Sequence, residues 1–102
     1  MPQKLLTDNQ VLTEVQALAR QSKVGWTQHA QERMAERGFD KGQIKRCLAS
    51  GSFIEQPYIP NRNGELEYKF TISGNVDGEI INVAASLIPE KRIVVITVID
   101  PK

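Results

Sequence analysis

The chain reads as an α+β domain, with helices packed on one face of a four-stranded antiparallel sheet. Three features predict this. Apolar residues recur at three- and four-residue spacing up to Gly51 and at two-residue spacing after it, so the first half is helical and the second half is strands. The last three strands are joined by short connections, which favours pairing between neighbours and hence a meander. A striped helix and a one-faced sheet each need cover, and laying the helices on the sheet supplies both.

The first helix is expected over residues 8–21, with Thr7 or Asp8 capping it and Val11, Leu12, Val15, Leu18 and Ala19 on one face. “SKVGW” breaks that pattern at Gly25. A second helix follows Thr27, a good N-cap, and stops at Gly38, which suits the left-handed C-terminal position. A third starts at Asp40 with Gln43 at capping-box spacing, carries Ile44, Cys47 and Leu48 as its apolar stripe, and ends at Gly51. “SFIEQP” is a short strand that Pro57 should stop, and “YIPNRNG” is a loop with an Asn-Gly turn signal. “ELEYKFTI” alternates, with Leu66, Tyr68, Phe70 and Ile72 on one side and Lys69 among the residues opposite. “SGNVDG” connects a hairpin into “EIINVAASLI”, which places Ile81, Val83, Ala85 and Leu87 on one face and the small or polar Asn82, Ala84 and Ser86 on the other. “PEKR” is a tight turn, and “IVVITVI” is apolar on both faces, as a central strand covered on both sides would be.

Composition bounds the function. The chain has 102 residues, 40% hydrophobic and 25% charged, which suits a single globular domain over residues 1–102 and excludes a disordered segment. A net charge of +1 excludes a broad polyanion-attracting surface, so any anion site must be local. The one cysteine, Cys47, excludes an internal disulfide and a multi-cysteine zinc site, and its place on a helix stripe reads as a small hydrophobe. No cofactor motif is present, and one histidine without nearby cysteines is a thin metal-ligand set. The N-terminus lacks a signal-peptide run and no stretch is long enough to cross a membrane, so a cytoplasmic protein with no membrane contact is expected.

The residues that carry chemistry cluster in “WTQHAQERMAERG”. Positions four apart on a helix lie about 40° apart, so His29, Arg33 and Arg37 form a slowly winding ribbon beside the core-facing Ala30 and Met34. Imidazole exchanges a proton near neutral pH, and a guanidinium offers a fixed cationic fork for phosphate oxygens. Together they suit phosphodiester cleavage without a metal. The same residues, with Glu32 and Glu36, also read as a solvated face of ordinary ion pairs, with His29 against Glu32 or the Trp26 ring. Tyr68 sits on the apolar side of its strand, where a core tyrosine with a satisfied hydroxyl is the simpler reading. Lys69 points the other way, and Thr97 is the one polar residue in an apolar strand.

“TQHAQERMAERGFDKGQIKRCLASGSFIE”, with “EYKFTISG”, “GEIINVAASLI” and “RIVVITVI”, resembles the DUF4258 family of small bacterial proteins over residues 26–99. The resemblance implies a RelE-like or barnase/EndoU-like fold, and with it a metal-independent ribonuclease of the toxin–antitoxin kind, with RNA as substrate and a cognate antitoxin as a possible protein partner. By position the family motif falls on His29, Arg33, Met34, Arg37 and Gly38, then on Tyr68, Phe70 and Thr97. The resulting expectation gives His29 the role of general base or acid and Arg33 that of phosphate clamp. Arg37 is a second clamp or an ion-pair partner, Lys69 an RNA contact, and Tyr68 or Thr97 orients or donates to a phosphate oxygen. The alternative expectation is a non-catalytic module of the same fold that binds protein or RNA.

Overall fold

A computed structural model of the chain describes residues 5–60 and 66–99. Eight elements follow in order: α1 (Asp8–Arg20), β1 (Val24–Trp26), α2 (Gln28–Arg37), α3 (Lys41–Ser50), β2 (Ser52–Tyr58), β3 (Tyr68–Val76), β4 (Glu79–Ile88) and β5 (Arg92–Ile99). The expected Asn63-Gly64 turn lies outside the described residues.

The helix ends follow from local chemistry. Thr7 caps α1 and Asp40 caps α3, each in a reciprocal box with a glutamine three residues on (Gln10 and Gln43). Thr27 caps α2 alone, accepting from the Ala30 N–H at 3.0 Å. Gly38 closes α2 at φ 74°, a conformation that costs glycine little.

The sheet has five strands in the order β1-β5-β4-β3-β2, which corrects the expected four. The added strand is β1, inside “SKVGW”, paired parallel to β5 through Val24↔Ile93, Gly25↔Val94 and Trp26↔Val95. Three residues are too few to display a period, and the central glycine offers no side chain to mark one. The other four strands form the expected antiparallel meander. β2 runs through Pro57 rather than stopping at it, because it is an edge strand whose register shifts between Glu55 and Tyr58, where a missing N–H breaks no regular ladder. β3 extends to Val76, so the hairpin turn shrinks to Asp77-Gly78, both at positive φ as a two-residue turn between twisted strands requires. Arg46 on α3 grips Asp77 through two nitrogens at 3.1 and 2.8 Å, holding that carboxyl below its ordinary range.

One face of the sheet is covered by all three helices. Phe70, Ile72, Val83, Leu87, Ile93 and Val95 meet Val11, Val15, Ala30, Met34, Ile44 and Leu48 in one buried cluster. Phe53 joins β2 to it by meeting Phe70 edge-on, with ring centroids 5.5 Å apart. Strand β5 is flanked on both sides but covered on one face only, which corrects the expectation of double cover. Its register slips between Ala84 and Ala85, so that Ile96 is an extra residue between Val95↔Ala85 and Thr97↔Ala84. Strict alternation would turn Thr97 into the core with Ile93 and Val95. The bulge reverses the phase: Val98 is buried opposite Val83, and Thr97 faces the uncovered side.

Cys47 is the small hydrophobe expected of it, fully buried, with its thiol donating to the Ile81 carbonyl at 3.3 Å. Burial pushes the thiol up from 9.0 to about 11, against a weaker opposing hydrogen bond from the Gly74 backbone. Below about pH 9 both folded and unfolded chains hold this proton, so the thiol adds no pH dependence. Above it the unfolded chain releases the proton first, and stability falls until the folded thiol itself ionises near 11. Urea midpoints taken from pH 7 to about pH 10.5 should therefore fall less steeply for Cys47→Ala than for wild type. Parallel profiles for the two proteins would show that the thiol makes no such contribution.

Candidate functional site

The bulge on β5 is also where α2 begins. Thr27 donates its N–H to the Val95 carbonyl at 3.2 Å and its hydroxyl to the Ile96 carbonyl at 2.9 Å, while accepting from Ala30. One threonine thus ends β1, caps α2 and fastens the first turn of α2, which carries His29, to the backbone next to Thr97.

His29 is exposed, and its ring makes no hydrogen bond or ion pair among the described residues. It is not stacked on Trp26, whose ring instead lies under the Lys41 ammonium, 5.5 Å from its centroid. Arg33 is half-buried and reaches Glu36 at 3.3 Å, a single solvent-facing contact that an anion can displace. Arg37 is half-buried and makes an interaction of its own, so it is not a free cation. Ala30 and Met34 are buried beside this ribbon, as their spacing predicts.

The uncovered face of the sheet can be read in rows across the strands. One row is Tyr58, Lys69, Ser86 and Val94; the next is Glu55, Thr71, Ala84 and Thr97; the third is Ser52, Ser73, Asn82 and Ile99. Thr97 is half-buried there, and its hydroxyl makes only a long 3.4 Å contact to the next carbonyl. Lys69 lies on the same face, with no ion pair among the described residues. Tyr68 does not join them. It is buried on the helix-covered face, and its hydroxyl accepts from the Leu6 N–H at 2.8 Å, tying down the segment before α1. The structure therefore brings Thr97 and Lys69 to one face, fastens the turn bearing His29 to the backbone beside Thr97, and leaves Tyr68 in the core.

Two polar residues on this face escaped the sequence reading. Ser86 and Asn82 are 2% and 9% exposed, and neither the serine Oγ nor the asparagine Oδ1 has a hydrogen-bond partner among the described residues. Leaving such an atom unpaired costs about 1–3 kcal/mol. Their neighbour Thr71 is satisfied, donating to Glu55 at 3.0 Å. The signal that could have found them was the small and polar side of β4, opposite its apolar residues.

Two cavities lie away from this corner. One, of about 300 Å³, sits between α1 and α3 beside Arg20, Ser22 and Lys45; the other, of about 380 Å³, lies along Asn9, Thr13 and Ala17 of α1. Among the described residues no three His, Cys, Asp or Glu side chains are placed to hold a metal ion, and no helix is long and apolar enough to cross a membrane.

The fold is thus a three-helix layer on a five-stranded mixed sheet, whose other face no described helix covers. Residues 26–100 match the domain of unknown function DUF4258, and the chain belongs to that family. No curated protein and no solved structure matches the chain.

Proposed function

We propose that the protein is a metal-independent endoribonuclease, of RelE/barnase-like type, acting at the corner between α2 and β5. The observation that carries this reading is the double anchorage of Thr27 on Val95 and Ile96. It holds the first turn of α2 against the one stretch of β5 that turns a hydroxyl, Thr97, toward the open face. In the reaction the 2′-hydroxyl attacks the adjacent phosphorus, forming the 2′-O–P bond as the P–5′-O bond breaks. His29 takes the proton of the attacking hydroxyl while water protonates the departing 5′-oxygen, or supplies that second proton while water takes the first. Arg33, released from Glu36, clamps the phosphate, and Thr97 donates to a non-bridging oxygen. Tyr68 is left out of the mechanism, since its hydroxyl is already used in the core. Replacing His29 or Arg33 by alanine should lower RNA cleavage at least about tenfold with an unchanged circular-dichroism melt, because both side chains lie outside the core. Purified protein that leaves total RNA intact, with and without ribosomes, contradicts the assignment.

A second reading has its own support. Arg33 is already paired with Glu36, and the net charge is +1, which fits a non-catalytic module that holds a protein partner. Under the ribonuclease reading, a toxin–antitoxin pair is the natural setting, and growth arrest on expression disappears with His29→Ala. Tight co-purification of one neighbouring gene product, indifferent to that substitution and without arrest, supports the module instead.

A further inference from the structure

We propose that the uncovered sheet face is a platform for single-stranded nucleic acid, on which Tyr58 stacks a base, Lys69 meets a phosphate, and Ser86 and Asn82 hydrogen-bond base edges. The inference deepens the ribonuclease reading by naming its substrate class and takes RNA as the ligand from it; the binding surface is argued from different residues.

Three observations converge on this face. Tyr58 is 49% exposed, an aromatic ring held at the edge of the sheet directly opposite Lys69. Lys69 is in turn opposite Ser86, so ring, ammonium and hydroxyl follow one another across three strands. Ser86 and Asn82 are polar side chains more than nine-tenths buried, yet among the described residues they lack partners, on a face that no described helix covers. A base laid over β4 supplies the missing donors and acceptors while the Lys69 ammonium meets its phosphate.

The charge of the protein selects the single strand. Duplex binding rests on neutralising many phosphates, and a chain of net charge +1 whose described strands place only Lys69 and Arg92 on this face lacks the cations for it. Stacking and hydrogen bonding on unpaired bases require far fewer. The Glu55 carboxylate lies one row from Lys69, so the backbone must track along the Tyr58–Lys69 side of the face, away from Glu55.

The test is fluorescence anisotropy with a short oligoribonucleotide methylated at every 2′-oxygen, which has no attacking hydroxyl and so reports binding alone. The single strand should bind at least about tenfold more tightly than the duplex of the same sequence. Tyr58→Leu should weaken it about tenfold, whereas Tyr58→Phe, which keeps the ring, should stay within about twofold. Lys69→Ala should flatten the log–log salt dependence by about 0.7. Ser86→Ala should weaken binding several-fold without lowering the melting temperature, since it removes an unpaired hydroxyl. Equal binding of single strand and duplex, unchanged affinity in Tyr58→Leu, or no binding of either nucleic acid overturns the platform. The two proposals separate cleanly. A protein that binds the single strand but never cuts unmodified RNA loses the ribonuclease and keeps the platform. One that cuts RNA through His29 while Tyr58→Leu binds normally does the reverse.

Discussion

Gly51→Ala should be the most damaging glycine-to-alanine change among the described residues, costing about 3 kcal/mol or more and lowering the melting temperature on the order of 15 °C. Gly51 closes α3 and opens β2, and its φ of −82° is open to any residue, so conformation is not the obstacle. Space is. A Cβ there would stand 2.5 Å from the Ser73 carbonyl oxygen, 2.6 Å from the Ile72 Cγ2 and 2.8 Å from the Cys47 carbonyl oxygen. Two of these are backbone atoms of α3 and β3, so relief requires moving a helix away from the sheet. Gly38→Ala is the informative contrast. Its φ of +74° is strained for alanine, but no atom lies within 4 Å of the new Cβ, and the cost should be about 1 kcal/mol. Thermal melts of the two variants should rank them in that order, and equal losses would show that the close approach at Gly51 is not what the fold depends on.

Phe70→Ala should cost about 3–5 kcal/mol. Phe70 is the largest fully buried side chain among the described residues and sits in β3, where it meets the helices on one side and the Phe53 ring on another. Its loss leaves a cavity and also removes the edge-to-face contact that ties β2 to the core. Phe70→Leu, which keeps most of the volume, should cost well under half as much. Urea titrations compare the two, and a Phe70→Ala protein within 1 kcal/mol of wild type would mean that the core collapses freely around the gap.

The helices were readable because their ends are written in side chains. Thr7, Thr27 and Asp40 each cap a helix, and Gly38 and Gly51 end two. The long strands were readable because each buries one face, which forces alternation. Two features were not. Strand β1 is three residues long and contains Gly25, so it carries no period; it exists because β5 offers it a backbone edge, a tertiary fact. The bulge at Ile96 adds a residue without changing composition, yet it decides which way Thr97 points. The candidate site was legible in the same uneven way. His29, Arg33 and Thr97 stood out as chemically unusual at their positions, and Tyr68, which its strand face marks as a core residue, lay in the catalytic set only through the family resemblance. Ser86 and Asn82 were hidden because serine and asparagine on the outer side of a strand look like ordinary solvated residues, and only the structure shows them buried and without partners.

Cleavage of unmodified single-stranded RNA by the purified protein in excess chelator, with analysis of the product ends, is the most direct measurement of what the α2–β5 corner does. The expected result is 2′,3′-cyclic phosphate ends from wild type, with the rate cut at least about tenfold in His29→Ala and reduced in Thr97→Val. Cutting that stops in chelator, or that continues undiminished in His29→Ala, would place the chemistry elsewhere.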